Sequence, residues 1–171
     1  MDQPMSTSRR ESPEEAAKRV EMAQREHERA DRGRIAMFPT VTGFAVEALK
    51  APALVNGGAA AAMLAFVGTG RQPVTADTIF GLKLFAVGLV LAAIATAPTY
   101  FAQYFYLAQM QSTEHGWDHP FVVETGASRK AWRLAVAFHA FAVVLVLAAY
   151  ACATFGLWSV ASGLVPLAPR S

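Results

Sequence analysis

The chain has 171 residues, a formal net charge of +2, 54% apolar residues and 16% charged ones. That length fits one domain. Acids and bases are interleaved, which leaves no single-sign patch for nucleic acid, and the single cysteine, Cys152, excludes an intramolecular disulfide. What distinguishes the chain is segregation. Residues 1–34 carry eight of the fifteen Lys/Arg and eight of the thirteen Asp/Glu, whereas 52–68, 84–110 and 134–169 carry none. Charge confined to blocks between long apolar runs points to an all-α integral membrane protein.

In chain order, residues 1–34 read as a helical arm. Ser12 supplies an N-cap, Pro13 suits the first helical position, Glu15 completes a capping box and Gly33 marks a stop. Ala16, Val20, Ala23, His27 and Ala30 form a thin stripe. The leading expectation is a solvated helix laced by i,i+4 ion pairs; the second is a helix docked on a cytoplasmic partner through 12–34.

Residues 35–51 place Val41, Phe44, Ala45, Ala48 and Leu49 on one face against Thr42, Glu47 and Lys50, the pattern of an interfacial amphipathic helix. Pro52 is expected to bend the chain into the bilayer. A three-span domain, 52–162, follows, with spans at 52–68, 79–105 and 134–160, then a short external tail at 163–171. The arm with Lys50 carries nine Lys/Arg, the first loop only Arg71, the second loop Arg129, Lys130 and Arg133, and the tail only Arg170. This alternation places the N-terminus in the cytoplasm of a bacterial inner membrane and the C-terminus outside. Tyr100, Phe101, Tyr104, Phe105 and Tyr106 form an aromatic belt at the inner end of span two, matched by Trp132 and Trp158 at the two ends of span three.

The run "ALVNGGAAAAMLAF" (53–66) is unusual for a span. In lipid, helices associate by close backbone approach and interhelical hydrogen bonds, so Gly57, Gly58 and Ala62 read as a packing seam, answered by Gly81 and Gly88 in span two. An unpaired amide in hydrocarbon costs several kcal/mol. Counting depth along each span puts Asn56, Thr99 and His139 near one level, so a polar cluster of these three is expected, either as a structural clasp or as a proton or ligand site.

The second loop holds "TEHGWDHPF". His115, Asp118 and His119 are metal-ligand types, and H-x-x-D-H is close to the H-x-x-E-H pattern of inverted zinc proteases, with Asp for Glu. Gly116 and Pro120 oppose the helix that motif requires, so a solvated loop is the leading expectation and a metal-dependent activity the minor one. No phosphate-binding loop, dinucleotide fingerprint or nucleophile elbow is visible, and no cofactor is expected.

Three stretches, "EALKAPALVNGGAAAAMLAFVG" (47–68), "FAVGLVLAAIATAPTYFAQYFY" (85–106) and "ATFGLW" (153–158), resemble a group of uncharacterised small bacterial three-span inner-membrane proteins whose first span carries LVNGGAA. The resemblance implies the topology and no activity. The function expected is a non-enzymatic scaffold or accessory subunit that self-associates or packs against other membrane proteins; the alternative is a small homo-oligomeric channel or holin-like pore.

Overall fold

A computed structural model describes residues 11–70 and 73–164; the remainder of the expected arm (1–10), most of the expected tail (165–171), Arg71 and the side chain of Val41 lie outside the described residues. Four helices and one short hairpin follow in order: α1 (Pro13–Gly68), α2 (Ala76–Ile94), α3 (Thr96–Gln111), β1 (Thr113–His115), β2 (Val122–Glu124) and α4 (Gly126–Ser162).

The helix α1 starts as its sequence dictates. The Ser12 hydroxyl accepts from the Glu15 amide and the Glu15 carboxylate accepts from the Ser12 amide. It then departs from expectation, running 56 residues without a break at Gly33 or Pro52, a length of about 84 Å. Arm, expected interfacial helix and first span are therefore one rod. Pro39 and Pro52 sit inside it. A proline withdraws one helical N–H and crowds the preceding turn, but it need not end a helix held by neighbours. Pro52 is fully buried and its carbonyl receives a side-chain hydrogen bond from Asn56. The rod stops at Thr69 and Gly70, the latter with φ +65°, the left-handed turn for which glycine is the cheapest residue.

Three segments are long and apolar enough to cross a membrane: Thr42–Gly68, Ala76–Gln111 and Gly126–Ser162. They contain the expected spans 52–68, 79–105 and 134–160 and extend beyond them. The first span begins ten residues earlier because Pro52 does not end the helix. The second continues through a break at Ala95, where Pro98 cannot donate to the carbonyl of Ile94.

The distribution of side chains is that of a protein in lipid. The buried apolar residues of the bundle are Ala92, Ala95, Ala102, Ala131, Ala135, Ala142, Ala149 and Ala153 with Phe85 and Val160, while Leu54, Leu64, Val87, Val144, Leu147, Phe155 and Leu157 face outward. A water-soluble bundle would invert this order. Small residues inside allow close helix approach, and large apolar residues outside meet acyl chains.

Candidate functional site

Asn56 is the polar centre of the bundle. It is fully buried. Its Nδ2 donates to the carbonyl of Pro52 in its own helix (2.9 Å) and to that of Ala149 in α4 (3.0 Å). Two carbonyl acceptors fix the amide orientation, because the flipped group would set oxygen against oxygen. The Oδ1 atom has no hydrogen-bond partner and lies against Gly88, where a Cβ would collide with the whole amide. Gly88 thus admits the asparagine, and the asparagine ties α1 to α4 across α2.

The other glycines divide into two sets. A Cβ at Gly81 would stand 2.6 Å from Val160 Cγ2 and 2.7 Å from the Gly156 carbonyl; one at Gly156 would meet Phe85 at 2.8 Å. Gly81, Gly88 and Gly156 therefore set the close approach of the helices. Gly57 has only Leu89 at 3.7 Å, Gly58 has nothing within 4 Å, and Ala62 is exposed. The seam expected on α1 is open, and the intramolecular seam runs through α2 and α4.

The structure does not bring Asn56 together with Thr99 and His139. Asn56 meets Gly88 and Ala149, whereas Thr99 lies eleven residues after Gly88, in α3, and His139 ten residues before Ala149, each about 15 Å toward the arm end. The depth count failed because residues counted from each helix's own end do not fix how the helices are staggered against one another. Thr99 donates to the Ala95 carbonyl (2.8 Å). Thr99, Gln103 and His139 line a groove of about 370 Å³ between α1 and α4, walled by Leu49, Val143 and Leu147.

At the arm end the second loop is a folded element. The strands β1 and β2 pair antiparallel, Thr113 opposite Glu124 and His115 opposite Val122. The arm lies on this hairpin. Ala23 is fully buried, His27 Nε2 donates to the Phe121 carbonyl (3.0 Å), and the His27 ring meets His115 edge-on at 4.8 Å and Trp117 at 5.7 Å. Arg19 donates to the Trp117 carbonyl and to Asp118 (both 2.7 Å), and grips Glu11 with two hydrogen bonds of 3.0 Å. The Arg19 hydrogen bonds hold the Glu11 carboxyl below the usual carboxylate range, and the same bonds raise Arg19. Within the stripe of Ala16, Val20, Ala23, His27 and Ala30, Ala23 and His27 thus meet the chain's own hairpin, while the rest of the arm is largely exposed and carries the expected i,i+4 ion pairs, Arg25 with Glu21 and Arg32 with Glu28.

This docking disperses the expected metal ligands. Asp118 is held by Arg19, His115 faces His27, and the His119 ring meets Phe121 at 5.6 Å. Among the described residues no three His, Cys, Asp or Glu side chains gather as a metal site. Sequence reasoning missed Arg19, Trp117, Phe85 and Gly156. The stripe pointed at the first contact, and only the fold could supply its partner.

No protein-family model, curated protein or solved structure matches the chain.

Proposed function

We propose that this chain is a non-enzymatic protein of the bacterial inner membrane that serves as a scaffold or accessory subunit of a larger assembly through helix packing. The observation that carries this reading is the outward face of α1. Gly58 has open space where a side chain would be, Ala62 beside it is exposed, and in the most apolar 18-residue stretch of this span only 11% of residues are buried, against 33% in that of the second. Small residues that another helix does not cover are the surface on which helices associate in lipid. The test is disulfide cross-linking in native membranes from a Cys152→Ser background. Cysteines at Gly58 or Ala62 should give cross-linked species, and one at Val144, on a bulky face, should not. Absence of cross-links at Gly58 and Ala62 would leave this face to lipid and remove the reading.

The accompanying orientation has the arm in the cytoplasm. The arm and second loop, which meet at one end of the bundle, carry most of the Lys/Arg. Cysteines at Thr75 and Glu114 should label from opposite sides, with Thr75 reached from outside. Labelling of both from one side would sink the three-span arrangement.

A further inference from the structure

A second groove, of about 460 Å³, opens at the arm end between the last turns of α3 and the first turns of α4. Arg129, Arg133 and Trp132 line it from α4, Tyr106 and Gln109 from α3, and Ser128 forms part of its wall. Arg129 and Arg133 are one turn apart on one face. Like charges at that spacing repel, yet among the described residues neither has a carboxylate within ion-pair distance. Glu124 lines the same groove and pairs with neither; it leaves the groove with one net positive charge. Ser128 is fully buried and its hydroxyl has no hydrogen-bond partner. The groove therefore presents two forked cationic donors that no carboxylate among the described residues pairs, beside a buried hydroxyl that no described residue satisfies.

Its position identifies the class of ligand. Arg133 is the last charge before an uncharged run from 134 to 169, so the groove stands where α4 enters the apolar layer. Trp132 and Tyr106 are the residue types that settle at the headgroup level, and arginine stems reach along apolar surface to set the guanidinium at that level. A guanidinium grips a phosphate through two parallel N–H donors, and basic pockets between spanning helices bind anionic headgroups. We infer that this groove binds the phosphate of an anionic phospholipid, held between Arg129 and Arg133, with the aromatic rings against its glycerol ester region. This rests on the three helices spanning a membrane and is independent of the scaffold role.

The experiment uses the full chain in detergent, titrated with phosphatidylglycerol or with phosphatidylcholine of the same acyl chains and read by native mass spectrometry. Phosphatidylglycerol should be retained preferentially. Removing two cations by Arg129→Gln with Arg133→Gln should weaken it about tenfold to thirtyfold and weaken phosphatidylcholine, whose choline cation offsets the same phosphate, by much less. Lys130→Gln, adjacent but outside the groove, should change it less than about twofold. Arg129→Lys with Arg133→Lys keeps both charges and loses the forks, so it carries the test if the glutamine pair does not fold; retention of phosphatidylglycerol should fall about threefold or more. Equal retention of the two lipids, a Lys130→Gln loss as large as that of the arginine pair, or undiminished retention of phosphatidylglycerol in the lysine pair would each overturn the site. A parallel arm titrates sodium phosphate at constant ionic strength. Weak competition is expected; displacement of the lipid by millimolar phosphate with the same arginine dependence would assign the groove to a soluble phosphate instead.

Discussion

The two ends of the bundle are built on opposite rules. At the end where the first loop joins α1 to α2, contact is backbone to backbone. Gly81 lies on Gly156 and Val160, Phe85 fills the space that Gly156 leaves, the Ser159 hydroxyl donates to the Asp77 carbonyl (3.0 Å), and Thr75 and Thr78 pack against Gly163. At the arm end the helices are held apart by rings. Phe138 of α4 stacks on Phe105 at 5.6 Å and meets Phe101 at 5.4 Å, so two rings of α3 and one of α4 stand where glycines stand at the other end. The grooves lie at the ring-spaced end. In lipid, where apolar burial adds no drive between helices, the size of interface residues decides whether a surface closes or stays open to a ligand.

The strongest way to break that comparison is to put one methyl group at each kind of glycine. Gly81→Ala forces a Cβ into Val160 and the Gly156 carbonyl, and backbone cannot give way as a flexible side chain can. Overpacking of this kind costs about 1–3 kcal/mol, read as a lower melting temperature in detergent. Gly58→Ala meets nothing and should stay within about 0.5 kcal/mol of the parent. Equal effects would mean that the glycine contacts do not set the helix approach.

Asn56 sharpens the comparison, because among the described residues it is the one polar tie between α1 and the closed pair. Asn56→Leu removes two hydrogen bonds and presses a branched side chain on Gly88. Interhelical hydrogen bonds in membranes are worth about 0.6 kcal/mol on average and up to about 1.7, so the loss should exceed the average without unfolding the bundle. His139→Leu, at the groove mouth some 15 Å away, should add to it independently, within about 0.5 kcal/mol in a double-mutant cycle. A larger coupling would restore the cluster of Asn56, Thr99 and His139 that the geometry separates.

What the sequence disclosed follows from which signals are local. Spans two and three, the capping box at Ser12 and the need of Asn56 for a partner were legible, because uncharged length, a four-residue cap and a polar group in an apolar run are properties of short windows. The bend expected at Pro52 is absent, because proline reads as a boundary in any window, while its tolerance at 52 depends on packing contributed by residues far along the chain. For the same reason Gly58 and Gly81 look alike in sequence, yet one is open and the other is pressed on backbone. The hairpin at 113–124 was hidden by its polar composition. Its order comes from Arg19 and His27, nearly a hundred residues away.

The smallest expected effect concerns how the arm is held on that hairpin. Arg19 sits between Glu11 on its own helix end and Asp118 and the Trp117 carbonyl of the loop. Glu11 orients the guanidinium, and Arg19 in return keeps the Glu11 carboxyl below the usual carboxylate range. A carboxylate favoured in the docked state contributes fully above its ordinary range, and the contribution fades as pH falls through the lowered value. Neutral and mildly acidic solutions should therefore leave the arm in place, and loosening from this source should come only below the ordinary carboxylate range. Spin labels at Val20→Cys and Val123→Cys, both exposed, would report it as a broadening of one short distance. In Glu11→Gln that acid-dependent broadening should shrink. In Arg19→Gln the distance should broaden already at neutral pH, since the contacts to Asp118 and the Trp117 carbonyl go as well. A sharp, unchanged distance in Arg19→Gln would show that Ala23 and His27 hold the arm without the ion pairs, the outcome usual for exposed salt bridges, which contribute little on their own.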